Sequence, residues 1–275
     1  QDAPAALELA TDYPRPALHR YRGATLGYQL DASLSIEMQG LSQREGVTLL
    51  MLLLGSLQLL LGRYTSSQDI SVGLPIAGRN RVESEGLVGL FLNTLVLRTE
   101  WTGDPTFREL LARVREVALG AYAHQELPFE KLVEELQPER DLSRTPLFQV
   151  MLVLQNAPLQ MPPLTELEVG TLEVATRSTN YDLTVSITET EAGLQVLLDY
   201  NALLFREARM QRLLRHWERL LQSVVAAPNS KLSDLQWLTD EEREQIVYGW
   251  NQTEREYKAA LSVVDLIERQ QPEAV

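Results

Sequence analysis

Three observations predict an α/β layered domain over residues 1–237. Short apolar runs rich in Val and Ile end at Gly or Pro, amphipathic stripes recur at three- and four-residue intervals, and the two patterns are interspersed along the chain. With 275 residues and 44% hydrophobic content the chain can bury a substantial core.

The elements follow in order. Residues 1 to about 24 are broken by Pro4, Pro14 and Pro16, carry Arg15, Arg20 and Arg22, and read as an extended crossing segment. Thr48 caps a helix over Leu49–Tyr64, apolar on nearly every face and suited to packing between a sheet and other helices. Asp69 to Pro75 reads as a buried strand, residues 78–86 as a polar loop, and Asn93 to Thr99 as an alternating strand. Asp104-Pro105 is the expected N-cap of a long helix whose Phe107, Leu110, Leu111, Val114, Val117 and Ala121 form one stripe. Pro128 opens a short helix carrying Phe129, Leu132, Val133 and Leu136. Phe148 to Leu154, Asp182 to Glu189 and Leu194 to Tyr200 complete the expected strands, with a Pro- and Met-containing loop through Pro163. Phe205 to Val225 is amphipathic, with Met210, Leu213, Leu214, Trp217, Leu220 and Val224 inward. Beyond Ala227-Pro228-Asn229 the composition turns polar, and Thr239-Asp240-Glu241-Glu242 starts a short acidic helix.

Composition narrows the function. Against 38 acidic residues stand 25 basic ones, and the net charge of −13 opposes nucleic acid and anionic membrane as partners. No cysteine is present, and His19, His124 and His216 lack metal-ligand spacing, so neither a thiolate site nor a zinc site is expected. The apolar run from Val47 to Leu61 is shorter than the roughly 20 residues of a membrane span. No basic region with an apolar core precedes the first strand, and Gln1-Asp2-Ala3-Pro4 suggests a chain cut from something longer. Dinucleotide, P-loop and α/β-hydrolase motifs are missing.

Four short motifs lie between Tyr64 and Pro146. They are Tyr64-x4-Asp69-x3-Gly73-x-Pro75-x3-Arg79-Asn80, Gly89-x-Phe91-x-Asn93-Thr94-x3-Arg98, His124-Gln125-Glu126-Leu127-Pro128-Phe129-Glu130 and Arg140-Asp141-x-Ser143-Arg144-x-Pro146. Taken singly, each has a plain structural explanation. Asp69 caps a strand entry and Gly73-x-Pro75 ends the strand. Arg79 sits on a solvated loop, although its planar fork also suits a phosphate. Asn93 either satisfies a turn or turns its amide, both donor and acceptor, toward a substrate carbonyl. Arg98, on a strand beside apolar neighbours, requires a carboxylate or carbonyl partner and reads as structural. His124 ends a helix with no Ser or Cys nucleophile motif nearby, so a general-base role is rejected. Arg140, Asp141 and Arg144 lock a loop by pairing and capping.

In this order the four motifs resemble the C-terminal half of a condensation domain from a nonribosomal peptide synthetase. The resemblance implies a chloramphenicol-acetyltransferase-like sandwich lobe, a mixed sheet covered by helices, as one of two lobes enclosing a tunnel. It implies residues 1–237 as the lobe, 238–256 as a linker, and 257–275 as the start of an adenylation domain. Tunnel candidates are Gly73, Pro75, Arg79 and Asn93; Tyr64, Asp69, Arg98, His124, Pro128, Phe129, Arg140, Ser143 and Arg144 are structural, with Phe129 anchored in the core. Catalysis in that family rests on a His-His-x-x-x-Asp-Gly motif of the N-terminal lobe, and no adjacent His pair occurs in this chain. The resemblance thus implies no catalytic residue here, no directly bound cofactor, and substrates arriving on the 4′-phosphopantetheine arms of donor and acceptor carrier proteins. The implied partners are the N-terminal lobe, the carrier proteins and the following adenylation domain, in a cytoplasmic synthetase. The alternatives are an epimerization or heterocyclization domain, a noncatalytic platform recruiting carrier proteins or tailoring enzymes, and a free-standing acyltransferase using coenzyme A, whose Asp-Phe-Gly-Trp-Gly segment is not found. Tunnel-facing surface is expected to stay exposed in the isolated chain as an apolar patch, favouring aggregation or dimerization.

Overall fold

The computed structural model describes residues 6–18, 20, 22–79, 83, 86–139, 141–155, 178–254, 262 and 264. Two compact units divide the chain at Trp237/Leu238. In the first, a six-stranded sheet is built from β1 (Gly23–Gln29), β2 (Asp69–Ile76), β3 (Asn93–Glu100), β4 (Val150–Gln155), β5 (Leu183–Thr190) and β6 (Gly193–Asn201). The order is β1-β6-β5-β4-β2-β3. β4 runs parallel to both β5 and β2, whereas the pairs β1/β6, β5/β6 and β2/β3 are antiparallel, which makes the sheet mixed.

Alternation along the strands gives the sheet two different faces. One face presents Ile70, Val72 and Leu74 of β2, Leu95 and Leu97 of β3, Val150 and Leu152 of β4, Val185 and Ile187 of β5, and Val196 and Leu198 of β6, all buried in one core. The helices α1 (Ala32–Glu45), α2 (Leu49–Thr65), α3 (Phe107–Ala123) and α5 (Glu207–Ala226) contribute to that core. Thr48 caps α2 as expected, and twelve consecutive residues of that helix, Met51 to Gly62, are buried. Its one long polar side chain within that stretch, Gln58, donates to the carbonyls of Ile70 and Leu97 at 3.2 and 3.0 Å and so pins the helix to the sheet. No single helix among the described residues is long and apolar enough to cross a membrane.

The structure differs from the sequence-based expectation at several points. β1 and α1 have no counterpart in it. β1 is half-exposed and carries two glycines that weaken its strand pattern, and the polar positions of α1 blur its apolar stripe. The long helix α3 does not start from Asp104. Thr106 is its N-cap, closing a capping box with Glu109, and Asp104 instead accepts from the backbone and hydroxyl of Ser233. The helix of Phe129 is α4 (Phe129–Leu136), with Pro128 in the N-cap position. The loop through Pro163, Asn80, Arg140, His19 and residues 265–275 lie outside the described residues.

In the second unit, Thr239 and Glu242 form a capping box that starts α6 (Asp240–Glu244), followed by one wider turn, Gln245–Gly249.

Candidate functional site

The opposite face of the sheet, away from those four core helices, mixes small and polar side chains with apolar ones such as Val96 and Met151. β2 places Gly73 and Pro75 there, alternating with the buried Val72 and Leu74. β4 adds Met151, opposite Gly73, and β5 adds Thr184, opposite Met151. Over Gly73 lies the ring of Phe148. A Cβ on residue 73 would fall inside that ring, so the position accepts only glycine unless Phe148 moves. Phe148 is buried, yet it stands apart from the main core. Its ring meets Tyr181 in a stack at 5.2 Å and Phe129 edge-on at 5.6 Å. Burial of the Tyr181 phenol raises its pKa, so the hydroxyl stays protonated near neutrality.

Local backbone chemistry aims these rings. Leu147 adopts φ +67°, a left-handed conformation uncommon for a non-glycine residue, at the turn that leads the chain into β4. The Phe148 N–H donates to the Pro146 carbonyl at 2.8 Å, and the Thr145 hydroxyl donates to the Phe148 carbonyl at 2.5 Å. Phe129 was expected in the core. It is half-buried at the start of α4, because Phe148 already fills the space over Gly73 and Phe129 can only abut its edge.

Asn93 ties the second motif to the third. Its amide donates to the carbonyls of Gln125 and Leu127 at 2.9 and 2.8 Å, and its Oδ1 accepts from the N–H groups of Phe129 and Thr94 at 3.0 and 2.9 Å. A side-chain amide offers two donors and two acceptor lone pairs, and these four bonds use them all. Of the two readings left open by the sequence, this geometry matches the turn. His124 is exposed at the C-cap of α3, its carbonyl accepting from the Leu127 N–H.

The remaining motif residues hold this frame. Arg98 grips Asp69 through both carboxylate oxygens, at 2.8 and 2.7 Å, diagonally across the β2/β3 pair. Tyr64 bonds the ring of the buried His216 at 2.7 Å, with Trp237 edge-on to both. Arg79 lies over the Phe91 ring at 4.4 Å and donates to the Gly89 carbonyl at 3.4 Å; Gly78, at φ +65°, gives the room that the Phe91 carbonyl needs. Arg79 therefore faces its own loop. The Ser143 N–H donates to Asp141, whose carboxyl this turn and the nearby Arg144 hold below the usual range. Exposed apolar side chains gather in the neighbouring loop at Leu87, Val88, Leu90 and Leu92.

Sequence reasoning missed Phe148 and Tyr181 as members of this site. Phe148 follows the fourth motif by two residues, a signal that was present; the positive φ of Leu147, which aims the ring, has no counterpart in the sequence. Among the described residues no group of three or more His, Asp or Glu side chains gathers as a metal site would require.

A mixed sheet with helices over one face is the chloramphenicol-acetyltransferase-like arrangement, shared with solved structures that superpose on this chain. Residues 2–247 match the condensation domain family, and the chain belongs to that family, of the kind found in nonribosomal peptide synthetases. It is 46% identical over 264 residues to a linear gramicidin synthase protein of Brevibacillus parabrevis, an alignment covering 95% of this chain and 5% of that protein. Among solved structures, holo-AB3403, a four-domain nonribosomal peptide synthetase bound to AMP and glycine, superposes with a TM-score of 0.82 at 25% identity, over 88% of this chain and 20% of that one. The teicoplanin X-domain, solved in complex with OxyB, superposes with a TM-score of 0.77 at 30% identity, over 86% of this chain and 52% of the other. The chain thus spans a small fraction of the gramicidin synthase protein and about half of the X-domain chain.

Proposed function

We propose that this chain supplies one wall of an amide-forming chamber, with residues 1–237 as the lobe, 238–256 as a linker and 257–275 as the start of an adenylation domain. The contact between motifs carries the reading: Asn93 accepts from the Phe129 N–H, and the Phe129 ring abuts Phe148, just past the fourth motif, where it lies over Gly73. In the chamber, the acceptor's amine nitrogen attacks the donor's thioester carbonyl. The tetrahedral intermediate collapses, the C–S bond breaks, and the amine proton ends on the departing phosphopantetheine thiolate. Two arms held in one chamber supply the proximity term, and a histidine of the companion lobe handles the proton. Both arms belong to carrier proteins, so this lobe itself holds no cofactor.

Because no adjacent His pair is present, the chain alone does not condense substrates. A dipeptide-formation assay with loaded donor and acceptor carrier proteins tests this. No product is expected from the chain alone and turnover from the two-lobed domain; turnover by the chain alone contradicts the reading. The likeness to the X-domain favours one second reading, a noncatalytic platform that recruits a partner protein. A two-lobed domain that forms no amide yet retains a partner protein in pull-down would favour it.

A further inference from the structure

Residues 6–16 precede the first strand and include Pro14 and Pro16, yet they are fastened to the lobe along their length. Leu7 and Leu9 are buried in the core. The Leu7 N–H donates to the Gln149 side-chain oxygen at 2.7 Å, while the Gln149 amide donates back to the Thr145 carbonyl at 2.9 Å. Glu8 receives both arms of Arg144 at 2.6 and 3.1 Å. Asp12 accepts from the Arg206 N–H at 2.9 Å, filling the N-cap of α5, which has no side-chain cap of its own, and its other oxygen meets Arg209 at 2.9 Å. Arg15 grips Asp182 with both ends of its fork, at 2.9 and 2.5 Å, and reaches the Ser143 carbonyl at 3.3 Å.

Such a strap is not a solvated tail. Asp182 is only 2% exposed, and an ionised carboxylate that deep is tolerated only with a partner, which Arg15 provides from 167 residues away in sequence. The strap also shares its seat with the candidate site. Thr145 and Gln149 bracket Phe148, and Asp182 follows Tyr181, so the turn and strand that receive the strap are the ones that aim the aromatic stack.

We propose that Ser143, Arg144, Gln149 and Asp182 form the receptor for the incoming segment, and that Arg15, Asp182, Glu8 and Arg144 are positioning residues for amide formation. The inference rests on the two-lobed reading: the strap leads from the companion lobe, and its ionic fastenings set where that lobe sits relative to the stack. Misplacement by about 1 Å costs up to ~10²-fold in rate when two bound reactants must meet.

The test uses the complete two-lobed domain with loaded carrier proteins and one spin label on each lobe. Arg15→Gln and Glu8→Gln should lower kcat, Arg15→Gln the more, by about 10- to 100-fold, with KM for the carrier-bound substrates unchanged, and should broaden the interlobe distance distribution. The pair Arg15→Gln/Asp182→Asn removes both charges of the ion pair, including the buried one of Asp182, so folding stability recovers relative to Arg15→Gln alone. Its distance distribution should stay broad and its kcat low. Unchanged distances with unchanged kcat in Arg15→Gln, or a double variant that regains both, would overturn the proposal. Failure of the wild-type domain to form amide would instead sink the functional reading, and the distance measurement would still report on the strap.

Discussion

The two faces of the sheet are held by different physics. On the helix-covered face, order comes from volume: Leu, Val and Ile of the strands meet a helix that is buried for twelve consecutive residues. On the other face and at the strand end beside it, order comes from fixed geometry: one glycine under one ring, one saturated amide and one left-handed leucine. Cores tolerate volume-conserving exchange, whereas no other side chain of that shape offers two donors and two acceptor lone pairs. The first face accounts for stability, the second for specific placement.

Three variants sharpen that contrast. The largest loss of stability belongs to the covered face. Trp217 is 1% exposed and its indole N–H donates to the buried Ser56 hydroxyl at 3.0 Å, so Trp217→Ala should cost about 3–5 kcal/mol in urea unfolding. Gly73→Ala should cost less, ~1–3 kcal/mol, because Phe148 must give way to the new methyl. Combining it with Phe148→Leu should recover part of that loss in the same titration; an additive double variant would mean that the two residues do not compete for the same space. Asn93→Asp places an acceptor against the Gln125 and Leu127 carbonyls, and ~1–3 kcal/mol is expected for the orphaned partners. Its signature is local: limited proteolysis should cut between residues 124 and 128 well before the core opens.

The two faces were unequally legible in the sequence. Periodicity revealed α2, α3, α5 and five of the six strands, because hydrophobic patterning is the signal of the covered face. β1 escaped because two glycines and polar alternates interrupt its pattern, and the cap of α3 falls at Thr106 where Asp104 was expected because either residue suits an N-cap. Motif residues on the second face were visible as motifs, but not as an assembly. Nothing in the letters says that Asn93 reaches across to residues 125–129, or that Phe148 fills the space above Gly73. Those contacts depend on the meeting of strands far apart in sequence.

A smaller effect concerns acid. Burial tends to raise the carboxyl of Asp12, but the Arg206 N–H and the Arg209 guanidinium outweigh it and hold the pKa below the ordinary value; at Asp141, hydrogen bonds from Ser143 do the same. Both groups bind protons more readily in the unfolded chain. Their stabilisation is therefore complete above the unfolded value, near pH 4, and disappears as pH falls through the lower folded values. Thermal unfolding followed from pH 6 to pH 3 should show Asp12→Asn converging on the parent protein at the acid end. Smallest of all, the exposed pair of Lys131 with Glu134 should contribute under ~1 kcal/mol, so Lys131→Ala should leave the urea midpoint nearly unmoved.

The most direct test of the Gly73 face as a chamber wall exploits the absence of cysteine in this chain. Thr184 lies on that face, opposite Met151, so Thr184→Cys places one thiol there. In the two-lobed domain, with any cysteine of the companion lobe replaced, bromoacetyl-pantetheine should alkylate this thiol faster than bromoacetamide does, because the arm is guided into the chamber. Equal rates, or labelling that occurs only in the isolated chain, would contradict the account.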